Sequence, residues 1–233
     1  MAENMQREEK PTLQKENVTE LSQNPFLKLY DLSYEAGRHY YSASRRDKEE
    51  LAALKSDGEF RSMDPDAVSC VVIIQADGKE PVLCLNREFR YPMGQFLLSV
   101  PAGLLDEEDK REMEPVFSAA IRELQEETGL CFEEGDEIRI VNPLLFSSPG
   151  MTDESNAVVQ MVIHRKDLPS LSQEGAVGGE KFSGYQLVNR SRALELLKQG
   201  ADDRGIFYST YTWIALMCFV SGLWNDAEGG DGE

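Results

Sequence analysis

The sequence predicts a mixed α/β fold (α+β in its connections): a mixed sheet flanked by helices, with a small antiparallel hairpin subdomain ahead of it. Three observations carry this reading. Ala67 to Gln75 is a nearly unbroken apolar run, the mark of a central strand covered on both faces. Between Pro115 and Gly129, Phe117, Ala120, Ile121 and Leu124 keep the 3.6-residue period of an amphipathic helix. Well before both, two segments alternate with the period of strands.

In chain order, residues 1–22 are charged and aperiodic and predict a tail. Residues 23–63 form the N-terminal β subdomain: strands from Phe26 to Leu32 and from Arg38 to Arg45, a turn at Glu35-Ala36-Gly37, and a short helix within residues 47–57. Such a hairpin cannot bury itself and needs a partner surface. Residues 64–225 form the main domain. Its strands are Ala67 to Gln75, Pro81 to Arg87, Gln95 to Val100, Ile138 to Phe146, Ala157 to His164 and Phe182 to Val188. Two further helices follow, Arg190 to Gln199 and Ile206 to Leu223, the second apolar around most of its circumference and expected to be largely buried. Residues 226–233 read as a second tail.

Composition narrows the function. Forty-one per cent of the residues are hydrophobic, which excludes wholesale disorder, while a net charge of −18 argues against any surface that tracks a nucleic acid backbone. No apolar run approaches the length of a membrane span and the N-terminus is charged, so neither a span nor a secretory signal is expected. Cys70, Cys84, Cys131 and Cys218 are far apart in apolar surroundings, and predict buried free thiols in a cytoplasmic protein.

The helix carries the chemistry. At 100° per residue, Glu123, Glu126 and Glu127 share one arc beside the apolar stripe, and Glu123 and Glu127 are i,i+4 neighbours whose like charges repel. Arg122 is i,i+4 from Glu126 and can hold it, but is expected to point away from the Glu123/Glu127 edge. The missing cation is most simply a divalent metal, and hard oxygen ligands select Mg²⁺ or Mn²⁺. A solvated glutamate-rich face of an acidic protein is the alternative.

Spacing adds to this. Glu114, seven residues, then Arg122-Glu123-Leu124-Gln125-Glu126-Glu127-Thr128-Gly129-Leu130 resembles the signature of the Nudix hydrolases, with one departure. Ten residues separate Gly103 from Glu114 where the signature has five, so the preceding loop carries an acidic insertion within Asp106 to Met113. Upstream, Arg87-Glu88-Phe89-Arg90-Tyr91-Pro92 leading to Pro101-Ala102-Gly103, and downstream Ser148-Pro149-Gly150-Met151-Thr152-Asp153-Glu154, are similar to motifs of the ADP-ribose pyrophosphatase branch. Ser99 departs from that branch, which often has a glutamate there.

The resemblance implies an α/β/α sandwich and Mg²⁺-dependent hydrolysis of ADP-ribose, or a related ADP-sugar, to AMP and ribose 5-phosphate. It implies Glu123, Glu127 and the main-chain carbonyl of Ala102 as metal ligands. Glu126, either held by Arg122 or joining the ligands, and Glu154, a general base or a ligand, complete the catalytic set. Arg90 and Arg45 match positions that contact phosphate or ribose oxygens, and Tyr40 one that stacks on the adenine. It further implies a homodimer in which the N-terminal sheet completes the partner's site. Other readings are hydrolysis of another nucleoside diphosphate derivative, or a sensor that binds ADP-ribose without cleaving it; loss of the box carboxylates would mark the sensor, and all three are present.

Overall fold

The computed structural model describes residues 13–175 and 179–228, in two compact units: residues up to 64 with 146–155, and residues 65–145 with 156 onward.

The first unit is a three-stranded antiparallel sheet, β1 (Val18–Gln23), β2 (Lys28–Glu35) and β3 (Arg38–Ser44), in the order β1-β2-β3. The expected hairpin is β2 and β3. Its third strand, β1, falls in the stretch read as a tail, because Val18 is buried beside Tyr30, Leu32 and Leu51 in a small core that local charge density conceals. Residues 1–12 lie outside the described ones. The short helix expected within residues 47–57 is instead two 3-10 turns, Lys48–Glu50 and Ala52–Leu54, followed by α1 (Asp57–Arg61), which Ser56 and Glu59 cap reciprocally.

The second unit is built on β4 (Ala67–Ala76), β5 (Val82–Arg90), β6 (Gln95–Ser99), β7 (Ala102–Leu104), α2 (Pro115–Thr128), β8 (Glu137–Phe146), β9 (Ser155–Arg165), β10 (Phe182–Val188), α3 (Arg190–Gln199) and α4 (Thr210–Ser221). The sheet runs β10-β5-β4-β9-β8, with β6 on β5 and β7 on β4; β4 and β9 are parallel from Ala67↔Asn156 to Ala76↔Arg165, and β4 and β5 antiparallel. The mixed sheet is as the sequence predicts.

Strand alternation explains the unbroken apolar run of β4. Val68, Cys70, Val72 and Ile74 face a core shared with Ala119, Ala120 and Leu124 of α2, whereas Val71 and Ile73 face one shared with Ala193 and Leu196 of α3 and Ala215, Leu216 and Phe219 of α4. Three layers result, helix on sheet on helices. Truncating Leu124, fully buried in the first core, should cost about 2–5 kcal/mol.

Three expectations change. α4 starts at Thr210, where Ser209 caps it, because the chain before it is turned by Asp202, whose carboxylate accepts from the Ile206 N–H. Its apolar circumference is not all buried, since Trp213 and Met217 stand exposed. Cys131 is exposed as well, while Cys70 and Cys84 are buried, Cys218 is half-buried, and all four are free.

Candidate active site

Packing aims the helix carboxylates. α2 begins on Pro115 and ends where Gly129 takes a left-handed conformation (φ 73°), and the face it buries holds Ala119, Ala120, Glu123, Leu124 and Glu127. Two carboxylates one turn apart are thus driven into the interior by the apolar residues around them. Glu123 is 5% exposed and Glu127 2%, whereas Glu126 stays partly exposed.

Each buried carboxylate is held. Glu127 Oε1 accepts from the Ala102 N–H at 2.9 Å, and its Oε2 from Asn86 Nδ2. Glu123 Oε1 accepts from Arg122 Nη1 at 2.6 Å, and the same nitrogen reaches Glu126 Oε2 at 3.2 Å. Arg122 therefore turns toward Glu123, contrary to the expectation from the helical wheel, because Asp109 Oδ2 and the Leu104 carbonyl take its other nitrogen at 2.8 and 2.9 Å. Asp109, itself buried, belongs to the acidic insertion, so that insertion anchors the box arginine.

Gly103 makes room for Glu123. A Cβ at that position would lie 1.8 Å from Glu123 Oε1, so only glycine admits the carboxylate there. The Ala102-Gly103 pair is held by β7, where Ala102 pairs with Ser69 and Gly103 with Val68. Ala102 thus serves Glu127 through its N–H, a contact the sequence reading did not include.

Burial sets the electrostatics. It pushes the Glu123 carboxyl up to about 7 against the pull of Arg122, and raises Glu127 well above the usual carboxylate range, with the Ala102 N–H opposing and Glu123, Glu88 and Glu180 adding to the rise. Two groups that the sequence reading missed join this field. Glu88 is buried and paired with Arg90 at 2.6 Å; burial pushes it and Glu180 up, with Arg90 opposing in both. The signal for Glu88 was available: with Leu83 and Leu85 of β5 in the α3/α4 core and Cys84 in the α2 core, alternation sends Asn86 and Glu88 to the α2 side. Arg90, from the sequence set, is thereby brought beside the carboxylates.

Glu154, Arg45 and Tyr40 lie in the first unit. Arg45 Nε donates to Glu154 Oε2 at 2.6 Å, Ser147 Oγ to Glu154 Oε1 at 3.3 Å, and the Tyr40 hydroxyl to the Gly150 carbonyl at 2.7 Å. The loop carrying Glu154 is also tied to β3 by the Ala43 N–H on the Met151 carbonyl (2.9 Å) and by Arg46 on the Asp153 carbonyl (2.6 Å). Arg46 was not singled out by the sequence; beside Arg45 its role shows only in the folded loop.

A NUDIX domain model matches residues 63–210, well over half of the chain. An uncharacterized Nudix hydrolase of Schizosaccharomyces pombe is 36% identical over 94 residues, 40% of this chain and 41% of that one. The ADP-sugar pyrophosphatase of Mus musculus is 30% identical over 117 residues, 50% of each chain, and the ADP-ribose pyrophosphatase of Bacillus subtilis 28% over 134, 58% and 63%. The chain spans about half the length of the curated relatives it matches. The fold is shared with the crystal structure of an ADP compounds hydrolase, at TM-score 0.53 and 20% identity, over 94% of this chain and 96% of that one.

Nudix hydrolases generally use divalent metal cations. The donors here fit one: hard oxygens, two buried carboxylates whose negative charge burial disfavours, and a glycine whose missing side chain admits one of them. Among the described residues, no three His, Cys, Asp or Glu side chains converge as a ready-made cluster, so two carboxylates need oxygens of another kind to complete the set. The matched domain, the glutamate pair of α2 and the glycine that admits it together place this chain in the Nudix family.

Proposed function

We propose that the chain hydrolyses the diphosphate of ADP-ribose, or of a closely related ADP-sugar, with Mg²⁺ or Mn²⁺ held by Glu123, Glu127 and the main-chain carbonyl of Ala102. ADP-ribose and water would give AMP and ribose 5-phosphate. The observation that carries this reading is the buried Glu123/Glu127 pair beside Gly103. The names of the mouse and Bacillus relatives support the substrate class. When bound, the cation neutralises diphosphate oxygens and polarises the attacking water.

The chain's own groups supply the rest. Ala102 and Asn86 fix Glu127 in one orientation, and Arg122 fixes Glu123 and draws Glu126 to it. Arg90 offers a guanidinium to phosphate or ribose oxygens. Glu154 takes the proton of the water, its carboxylate oriented by Arg45, and the Tyr40 ring stacks on the adenine. Arg45 thus positions the base as well as facing substrate oxygens.

The working form in this reading is a cytoplasmic homodimer. Support comes from the sheet face opposite Tyr30, where Leu29 and Tyr41 stand exposed, and from four free cysteines; no described helix is long and apolar enough to cross a membrane. Sedimentation at micromolar concentration should give a dimer, and a monomer with full activity would remove that part. For the reaction, the chain is offered ADP-ribose, other ADP-sugars and other nucleoside diphosphate derivatives, with AMP detection, with and without EDTA. AMP release from ADP-ribose that EDTA abolishes is expected. Undiminished release in EDTA, or no release from any ADP-sugar, would sink the reading.

A further inference from the structure

Asn86 is fully buried in the middle of β5, among neighbours of which Leu83 and Leu85 are apolar, and half of its amide is unexplained. Its Nδ2 donates to Glu127 Oε2, but Oδ1 has no hydrogen-bond partner. The amide is planar, so the bond to Glu127 also fixes where Oδ1 sits. A buried carbonyl without a partner costs about 1–3 kcal/mol, and an apolar residue at this position would avoid that cost.

We infer that Asn86 Oδ1 is a neutral oxygen ligand of the divalent cation held by Glu123 and Glu127. This rests on the proposed cation site. Three observations converge on it. The orphan oxygen belongs to a side chain already bonded to one of the two carboxylates. Among the described residues, no group of three or more His, Cys, Asp or Glu side chains is arranged to hold a metal ion, so the pair calls for an oxygen of another kind. Directly across the β5/β6 pair, Asn86 faces Ser99, whose hydroxyl bonds the Val100 carbonyl at 3.4 Å and brings no charge. An amide answers both needs of the spot: its N–H holds Glu127, which an aspartate could not do without repulsion, and its oxygen suits Mg²⁺ or Mn²⁺. With two carboxylates and two neutral oxygens, Asn86 Oδ1 and the Ala102 carbonyl, the charge of the ligand set matches that of a divalent cation.

The test is Mn²⁺ titration of the full chain without substrate, reading free Mn²⁺ by its paramagnetic resonance signal, with metal-free thermal melts as the folding control. Wild type should bind and Glu127→Gln should lose binding. Asn86→Leu should weaken Mn²⁺ binding about 10–100-fold. Asn86→Ala replaces it if the leucine variant does not fold. Asn86→Asp keeps an oxygen but has no N–H for Glu127, and should recover at least tenfold of what leucine loses. Binding by Asn86→Leu within twofold of wild type would overturn the inference. An Asn86→Asp variant as weak as the leucine one would do the same, because the amide would then serve only as a donor. If wild type itself does not bind Mn²⁺, the cation site falls and the inference with it.

Discussion

Glu127 and Glu154 stand at opposite ends of what a protein can do with a carboxylate. Glu127 is held by packing: it rides on a helix whose Ala120 and Leu124 are fully buried, and it meets a backbone N–H and an amide in the interior. Glu154 is held by tethers: it sits on a loop that hydrogen bonds fasten to β3, in a unit whose described core is little more than Val18, Tyr30, Leu32 and Leu51. Packing gives one rigid geometry and destabilises the charge. Tethers leave the charge near water and the geometry adjustable.

If that contrast governs function, the largest effect belongs to the packed side. Glu127→Gln keeps the shape and removes an anionic ligand, and kcat should fall more than about a hundredfold while the metal-free protein melts at least as high as wild type, since an unfavourable buried charge is gone. Activity within tenfold of wild type would break the contrast at its strongest point. Gly103→Ala sharpens it: the added methyl meets Glu123 Oε1 and must displace it, so kcat should drop about a hundredfold, with about 1–3 kcal/mol lost from overpacking. An unchanged kcat there would show that Glu123 tolerates displacement.

On the tethered side, Glu154→Gln should lower kcat about a hundredfold, at the low end for a general base, with KM nearly constant. Arg45→Ala removes the guanidinium that orients the carboxylate and leaves it the Ser147 hydroxyl, and should cost about tenfold. Full activity in Glu154→Gln would move the base elsewhere.

The buried pair also has a pH signature. Glu123 lies at about 7 in the fold and at 4.5 when free. Between those values the folded chain holds the proton more tightly than the unfolded chain, so stability present below about pH 4.5 is lost as pH rises through 7; Glu127 acts in the same direction. In EDTA, unfolding free energy should decline by about 2–3 kcal/mol from pH 5 to 8, and saturating Mg²⁺ should flatten the slope. A stability that rises over that range in EDTA would contradict the burial argument.

The same contrast explains what could be read from the sequence. Packing leaves a periodic trace, so α2, the two-faced β4 and the Glu123/Glu127 edge were all legible from spacing. Asn86 and Glu88 were half legible, since alternation gives their face but not their nearness to α2. The direction of Arg122 is not legible from helical spacing, because its partners, Asp109 and the Leu104 carbonyl, come from a loop whose path spacing does not encode. β1 leaves little trace in the sequence, because a strand of an otherwise charged segment buries only Val18 among its described side chains. Arg46 on the Asp153 carbonyl spans 107 positions and has no periodic signal.

The smallest expected effect separates two roles for Tyr40, and only a pair of variants can do it. Its hydroxyl tethers the loop at Gly150, whereas the proposed stacking uses the ring. Tyr40→Phe removes the tether and keeps the ring. The hydroxyl's hydrogen bond is exposed, so its loss should cost no more than about 0.5–1 kcal/mol, with KM for ADP-ribose moving less than about threefold. Tyr40→Ala removes both, and a lost base stack of about 1–3 kcal/mol should raise KM about 5–150-fold with kcat little changed. If phenylalanine and alanine shift KM alike, the residue works through the loop alone. If alanine leaves KM unchanged, neither role belongs to Tyr40.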